Sequence, residues 1–177
     1  DYDTNLQQQG TPLFVDGVIY VSTAWSKVYA FDARSGKQLW QYNPKVPGEW
    51  AANVCCGLVN KGLTAFDGKI YGKVVIGASG GEFGVRGWIA AFDAKTGKQS
   101  WRFYPVPGDP SLPPENEAMR KAAATWPKTG DWWKIGGGGT VWDAAVYDPK
   151  TNLLYFGTGN GTPWNQKYRD QSGGDNL

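Results

Sequence analysis

The apolar positions of this chain alternate in short runs separated by turn residues, the period-two signature of half-buried strands. Leu13-Phe-Val-Asp16-Gly17-Val-Ile-Tyr-Val21 has two such runs around Asp-Gly, which supplies the positive backbone φ of a two-residue hairpin. The stretch Ala30-Phe-Asp32-Ala-Arg-Ser-Gly36-Lys-Gln-Leu-Trp40 then recurs as Ala91-Phe-Asp93-Ala-Lys-Thr-Gly97-Lys-Gln-Ser-Trp101. Each copy places an apolar stretch before an Asp, Ser/Thr and Gly turn and an aromatic stretch after it, so each predicts a hairpin with Trp on its second strand. The two hairpin types together make a four-stranded unit. An Asp67-Gly68 turn within 63–71 and a run over 144–156 predict further hairpins. One helix is predicted over Pro113–Thr125, with prolines and acids at its start and bases in its interior. The proline segments at 105–110 and Pro127 are rigid connections within one domain, because aromatic residues continue on both sides.

Composition narrows the function. The chain has 177 residues, 41% hydrophobic and 19% charged, with a net charge of +2 and interspersed signs. That balance gives no basic footprint for nucleic acid, and no apolar run reaches the roughly 18 residues of a membrane span. Twenty-five glycines and ten tryptophans fit a turn-rich, aromatic-packed all-β protein. There is no histidine. Ser-His-Asp and Cys-His catalysis, haem attachment through Cys-x-x-Cys-His and His-ligated zinc are therefore excluded, leaving carboxylates, amides or a bound organic cofactor. Neither Asp1 nor Leu177 has the look of a natural terminus, so the chain reads as a segment of a longer protein.

The two cysteines, Cys55 and Cys56, are adjacent. They are either a pair of reduced core thiols or a strained vicinal disulfide of the kind found at functional sites.

Four motifs decide between broader readings: Trp50-Ala-Ala-Asn-Val-Cys55-Cys56-Gly-Leu-Val-Asn60-Lys61-Gly62, Gly77-Ala-Ser79-Gly-Gly-Glu82-Phe-Gly-Val-Arg86-Gly87, Gly136-Gly-Gly-Gly-Thr140-Val-Trp142-Asp143, and Gly157-Thr-Gly-Asn160-Gly. Together and in this order they resemble the quinoprotein alcohol dehydrogenases, periplasmic bacterial enzymes that use pyrroloquinoline quinone (PQQ) and a metal. The Trp40 and Trp101 repeat resembles that family's tryptophan-docking motif. The resemblance implies an all-β fold, part of an eight-bladed propeller of four-stranded antiparallel blades. Residues 1–177 would form one incomplete propeller segment.

The resemblance also assigns roles. Cys55 and Cys56, joined as a disulfide, would form one wall of a slot for the flat tricyclic quinone, and Trp142 the other. Ser79, Gly80, Gly81 and Thr140 would reach the cofactor's edge, with Lys61 near the quinone oxygens. Glu82 and Asn160 would ligate a hard cation, calcium or a lanthanide, through oxygen. Arg86 is expected to be structural, its planar fork tying loop carbonyls or a carboxylate. Asp131-Trp132-Trp133 is expected to pack between blades.

The match has four departures. Gln9 stands where the family has a Glu that bonds the cofactor. Lys61 replaces an Arg, keeping the charge and losing the fork. At Ile70-Tyr71-Gly72-Lys73-Val74 one hairpin runs directly into the next blade's strand, as though about a blade were deleted near 71–72. The family's Asp base lies beyond this segment, so no residue here is assigned to catalysis.

The implied function is oxidation of a primary alcohol to an aldehyde by hydride transfer to PQQ with metal assistance, electrons passing to a cytochrome c-type acceptor. The isolated segment is expected to be inactive. Two other readings use fewer of these residues: a non-catalytic periplasmic propeller scaffold, which needs only the docked blades, and a sugar-binding module with exposed tryptophans.

Overall fold

A computed structural model describes residues 8–45, 63–65, 73–80, 84–143 and 145–169. Four strands, β1 (Leu13–Val15), β2 (Val18–Ser22), β3 (Val28–Asp32) and β4 (Gln38–Tyr42), form one antiparallel sheet in sequence order. A second four-stranded sheet follows the same order, with β5 (Thr64–Ala65), β6 (Lys73–Gly77), β7 (Ile89–Asp93) and β8 (Gln99–Phe103). Strands β9 (Val146–Asp148) and β10 (Leu153–Tyr155) make a two-stranded antiparallel sheet.

The turns form as their residues dictate. Val15 pairs with Val18 across Asp16-Gly17, and both turn residues have positive φ, 48° and 80°. In the repeated hairpins the aspartate side chain organises the turn: Asp32 Oδ1 accepts from the Ser35 amide at 2.7 Å and its hydroxyl at 2.6 Å. Asp93 Oδ1 does the same with Thr96, at 2.9 Å for each. Both copies carry a register shift one residue before the turn aspartate, at Ala30/Phe31 and Ala91/Phe92.

The middle strands are apolar on both faces because sheets stack on either side of them. Val74, Ile76, Ala90 and Phe92 of the second sheet join Tyr20, Val28 and Ala30 of the first in one buried cluster. Their alternate neighbours Val75, Ile89 and Ala91 face the other way and pack with Val141, Leu154 and Phe156. Trp40 fastens the first interface. Its Nε1 donates to the Ala94 carbonyl at 2.9 Å, and its ring lies about 3 Å from where a Cβ on Gly97 would sit. The equivalent Trp101 is 41% exposed.

Three expectations are revised. The hairpin predicted over 63–71 pairs differently: Thr64 lies opposite Val75 and Ala65 opposite Val74, so the partner of β5 is the buried strand β6. The Asp67-Gly68 turn and the 71–72 junction lie outside the described residues. The predicted helix is shorter, α1 at Glu117–Ala123, because the Asn116 side chain caps it by accepting from the Met119 amide at 2.9 Å. Trp132 packs on Trp126, ring centroids 4.5 Å apart, in a separate cluster with Val106 under the α1 loop. It does not join either cluster between sheets.

Candidate functional site

Four loop segments meet beyond the ends of β6 and β7, and glycine permits each approach. A Cβ on Gly77 would strike the Val141 carbonyl, one on Gly87 the Gly139 carbonyl, and one on Gly80 would lie 2.6 Å from Val85 Cγ2. Gly136 to Gly139 all have positive φ, between 64° and 93°, a conformation that side chains disfavour.

This run is paired on both sides. On one side Gly87 N–H donates to Gly138 O at 2.7 Å and Gly138 N–H to Val85 O at 3.2 Å. On the other side Gly139 N–H donates to Asn160 O at 3.0 Å, Thr162 N–H to Gly137 O at 2.9 Å, and Gly159 N–H to Thr140 O at 2.8 Å. The result is a three-railed ladder of 85–87, 137–140 and 159–162.

The ladder gathers the predicted residues that the structure describes. Thr140 is 1% exposed, with Oγ1 3.0 Å from the position a Cβ on Gly159 would take. The same position lies 3.6 Å from Trp142 Nε1. Gly159 is thus a side-chain-free cradle between the Thr140 hydroxyl and the Trp142 indole. Trp142 is 41% exposed beside Val141 at 1%, so the indole has apolar surface to offer a flat ligand. Asn160 is exposed on the neighbouring rail, its Nδ2 donating to Gly161 O at 2.8 Å, and an amide oxygen such as its Oδ1 has the chemistry of a hard-cation ligand. Ser79 and Gly80 are half-buried just past the end of β6, with Val85 against Gly80. Cys55, Cys56, Lys61, Gly81 and Glu82 lie outside the described residues.

Arg86 holds the outer rail as its residue type predicts. Nε and Nη2 both donate to Val106 O at 3.0 Å, Nη1 pairs with Glu115, and the guanidinium lies 4.0 Å from the centre of the Tyr104 ring. That pairing holds the Glu115 carboxyl below the usual carboxylate range, chiefly through the Arg86 hydrogen bond.

Two contributors were not singled out from the sequence. Gly159 was one glycine among many, and only its neighbours reveal the cradle. Arg169, in the short helix α2 (Gln166–Arg169), donates from Nη1 to the carbonyls of Gly161 and Pro163 at 2.7 Å and of Trp164 at 3.2 Å. A separate cavity of about 480 Å³ opens below α1, lined by Arg86, Leu112, Met119, Trp126 and Trp132 among others. None of the predicted site residues that the structure describes lines it. Among the described residues no helix is long and apolar enough to cross a membrane.

Comparison with known proteins gives consistent matches along the chain. The family model described as PQQ, glucose/ethanol/alcohol dehydrogenase, beta-propeller domain, matches residues 1–70 and 64–177. Quinohemoprotein alcohol dehydrogenase ADH IIB of Pseudomonas putida is 46% identical over 219 aligned positions, which take in 100% of this chain and 31% of that protein. The crystal structure of quinohemoprotein alcohol dehydrogenase from Comamonas testosteroni superposes with a TM-score of 0.67 at 40% identity, over 96% of this chain and 32% of that one. A europium-containing methanol dehydrogenase superposes with a TM-score of 0.57 at 30% identity, over 99% of this chain and 39% of that one. The chain therefore spans about a third of the length of these relatives.

Proposed function

Because the chain belongs to the family of PQQ glucose/ethanol/alcohol dehydrogenase β-propeller domains, we propose that it is the part of a PQQ-dependent alcohol dehydrogenase that builds one side of the cofactor and metal site. The observation that carries this reading is the placement of Thr140 and Trp142 against the cradle at Gly159, next in the chain to Asn160, whose carbonyl the Gly139 amide holds. An exposed indole face, a hydroxyl and an amide oxygen are the donor set that a flat, oxygen-rimmed quinone and a hard cation require. The residues present fit the group.

Trp142 stacks on the ring system. Ser79, Gly80, Gly81 and Thr140 bind its edge, and Lys61 supplies positive charge near its oxygens. Glu82 and Asn160 ligate calcium, or a lanthanide as the europium-containing relative suggests. Cys55 and Cys56, joined as a vicinal disulfide, form the opposite wall. When bound, the quinone supplies the two-electron oxidant and the cation the Lewis acid for oxidising a primary alcohol to an aldehyde. The names of the curated relatives, quinohemoprotein and quinone alcohol dehydrogenases, support an alcohol substrate and onward transfer to a cytochrome c-type acceptor. The proposed compartment is the periplasm, where a disulfide persists.

The whole enzyme is proposed to close as an eight-bladed propeller with tryptophans docked between blades; the Trp40 contact supports the docking. A deletion near 71–72 is supported by the two family matches meeting at 64–70 and by alignments longer than the chain. The general base lies outside this segment, so the segment alone does not oxidise alcohols.

Equilibrium binding of PQQ with calcium to the full-length protein tests the reading. Trp142→Ala and Asn160→Ala are each expected to weaken binding at least tenfold. Wild-type affinity in both variants would refute it.

A further inference from the structure

Four consecutive left-handed glycines make a poor scaffold by themselves. Glycine has the widest conformational freedom of any residue, and Gly136 to Gly139 contribute no side chain to lock their position. Yet this run fixes both Thr140, which continues it, and Asn160, whose backbone carbonyl it holds. Whatever fixes the two outer rails therefore fixes the site.

Each outer rail is fastened by one arginine. Arg86, whose side chain is 23% exposed, ties the 85–87 rail to the 104–115 loop through Val106 O, Glu115 and the Tyr104 ring. The loop is shaped to receive it, since a Cβ on Gly108 would lie 2.7 Å from Nη1. Arg169 gathers the carbonyls of Gly161, Pro163 and Trp164 just beyond Asn160. Both guanidiniums act on the backbone that carries these residues, Arg86 through its own rail and Arg169 through the Gly161 carbonyl.

We propose that Arg86 and Arg169 are positioning residues that clamp the glycine ladder from opposite sides and so set the ligand geometry of Asn160 toward the cation. This rests on the proposed role of Asn160. For Arg86 the planar fork is essential, because two guanidinium nitrogens share the Val106 carbonyl while a third engages Glu115. A lysine ammonium retains the charge without holding that orientation.

The experiment is terbium(III) titration of the full-length protein after chelator treatment, in the presence of PQQ, read by terbium luminescence and by its lifetime in H2O and D2O. Groups that orient a metal ligand typically contribute roughly 10- to 100-fold to affinity. Arg86→Lys and Arg169→Ala are each expected to raise the terbium dissociation constant about tenfold and to add a water to the bound ion. Glu115→Gln, which leaves Arg86 and its Val106 bonds in place, is expected to produce a smaller shift in the same direction, and it decides the Arg86 half if Arg86→Lys does not fold.

A purely structural role would lower the unfolding midpoint and leave affinity and hydration number at wild-type values, and that result overturns the clamp. Asn160→Ala separates the two readings. If it leaves terbium binding unchanged, the site assignment fails; if it weakens binding while the folded arginine variants match wild type, the clamp alone fails.

Discussion

Gly77 illustrates how much a single position decides. The missing side chain lets the end of β6 rest on the Val141 carbonyl, so Gly77→Ala drives a methyl into backbone that cannot rotate away. Overpacking of this kind costs about 1 to 3 kcal/mol. Denaturant unfolding of Gly77→Ala is expected to show a loss in that range, and an unchanged midpoint would mean that the two segments do not touch. Single residues were unevenly legible. The fork of Arg86 was readable from residue type, and the carbonyl and carboxylate it was expected to tie are Val106 and Glu115. The partners themselves, 20 and 29 residues away, were not readable, since no local pattern records a contact across a loop. Burial of Thr140 was likewise invisible, because it depends on Gly159 arriving from another segment.

Hairpins were the most legible elements, because turn chemistry is local. Asp16-Gly17 and the two repeated Asp turns form where the alternation placed them. The carboxylates of these turns are held below their ordinary values: Asp32 by the Ser35 hydroxyl and amide, Asp93 by the Thr96 amide and hydroxyl, and Asp148 mainly by the Thr151 hydroxyl. Glu115 and Glu117 are lowered by Arg86 and Arg120. Groups with depressed folded values add stability that is complete above their unfolded values, about 3.9 for Asp and 4.3 for Glu, and that is lost as pH falls through the folded values. With no histidine in the chain, the thermal midpoint is expected to stay level between about pH 5 and 8 and to fall below about pH 4. A step near pH 6.5 would contradict this account. Less legible was the partner of β5, since strand pairing is a long-range choice and the buried strand β6 wins it. The contact between sheets has its own test. Trp40→Phe keeps an aromatic ring against Gly97 and removes the bond to Ala94 O, so a loss of about 1 kcal/mol is expected. No loss would show that the bond contributes nothing to stacking.

At the scale of the molecule, two complete sheets and a two-stranded third stack through apolar faces that alternate along β6 and β7. The all-β class and the repeat were legible because the same hairpin chemistry appears twice. The site was legible only as motifs. Its assembly from the 77–80, 84–87, 136–142 and 157–162 segments depends on glycine contacts between distant parts of the chain, which the sequence pattern does not encode. The chain spans about a third of a relative's length and is proposed to form one side of the slot. Its central claim is that Asn160 and Trp142 mark the place where cation and quinone sit. The most direct measurement is anomalous diffraction from crystals of the full-length protein loaded with PQQ and terbium. The account predicts an anomalous peak at roughly 2.3 to 2.6 Å from Asn160 Oδ1, the oxygen-ligand range of calcium-type sites, with flat density stacked on the Trp142 indole. A peak elsewhere, with no ring density against Trp142, would contradict it.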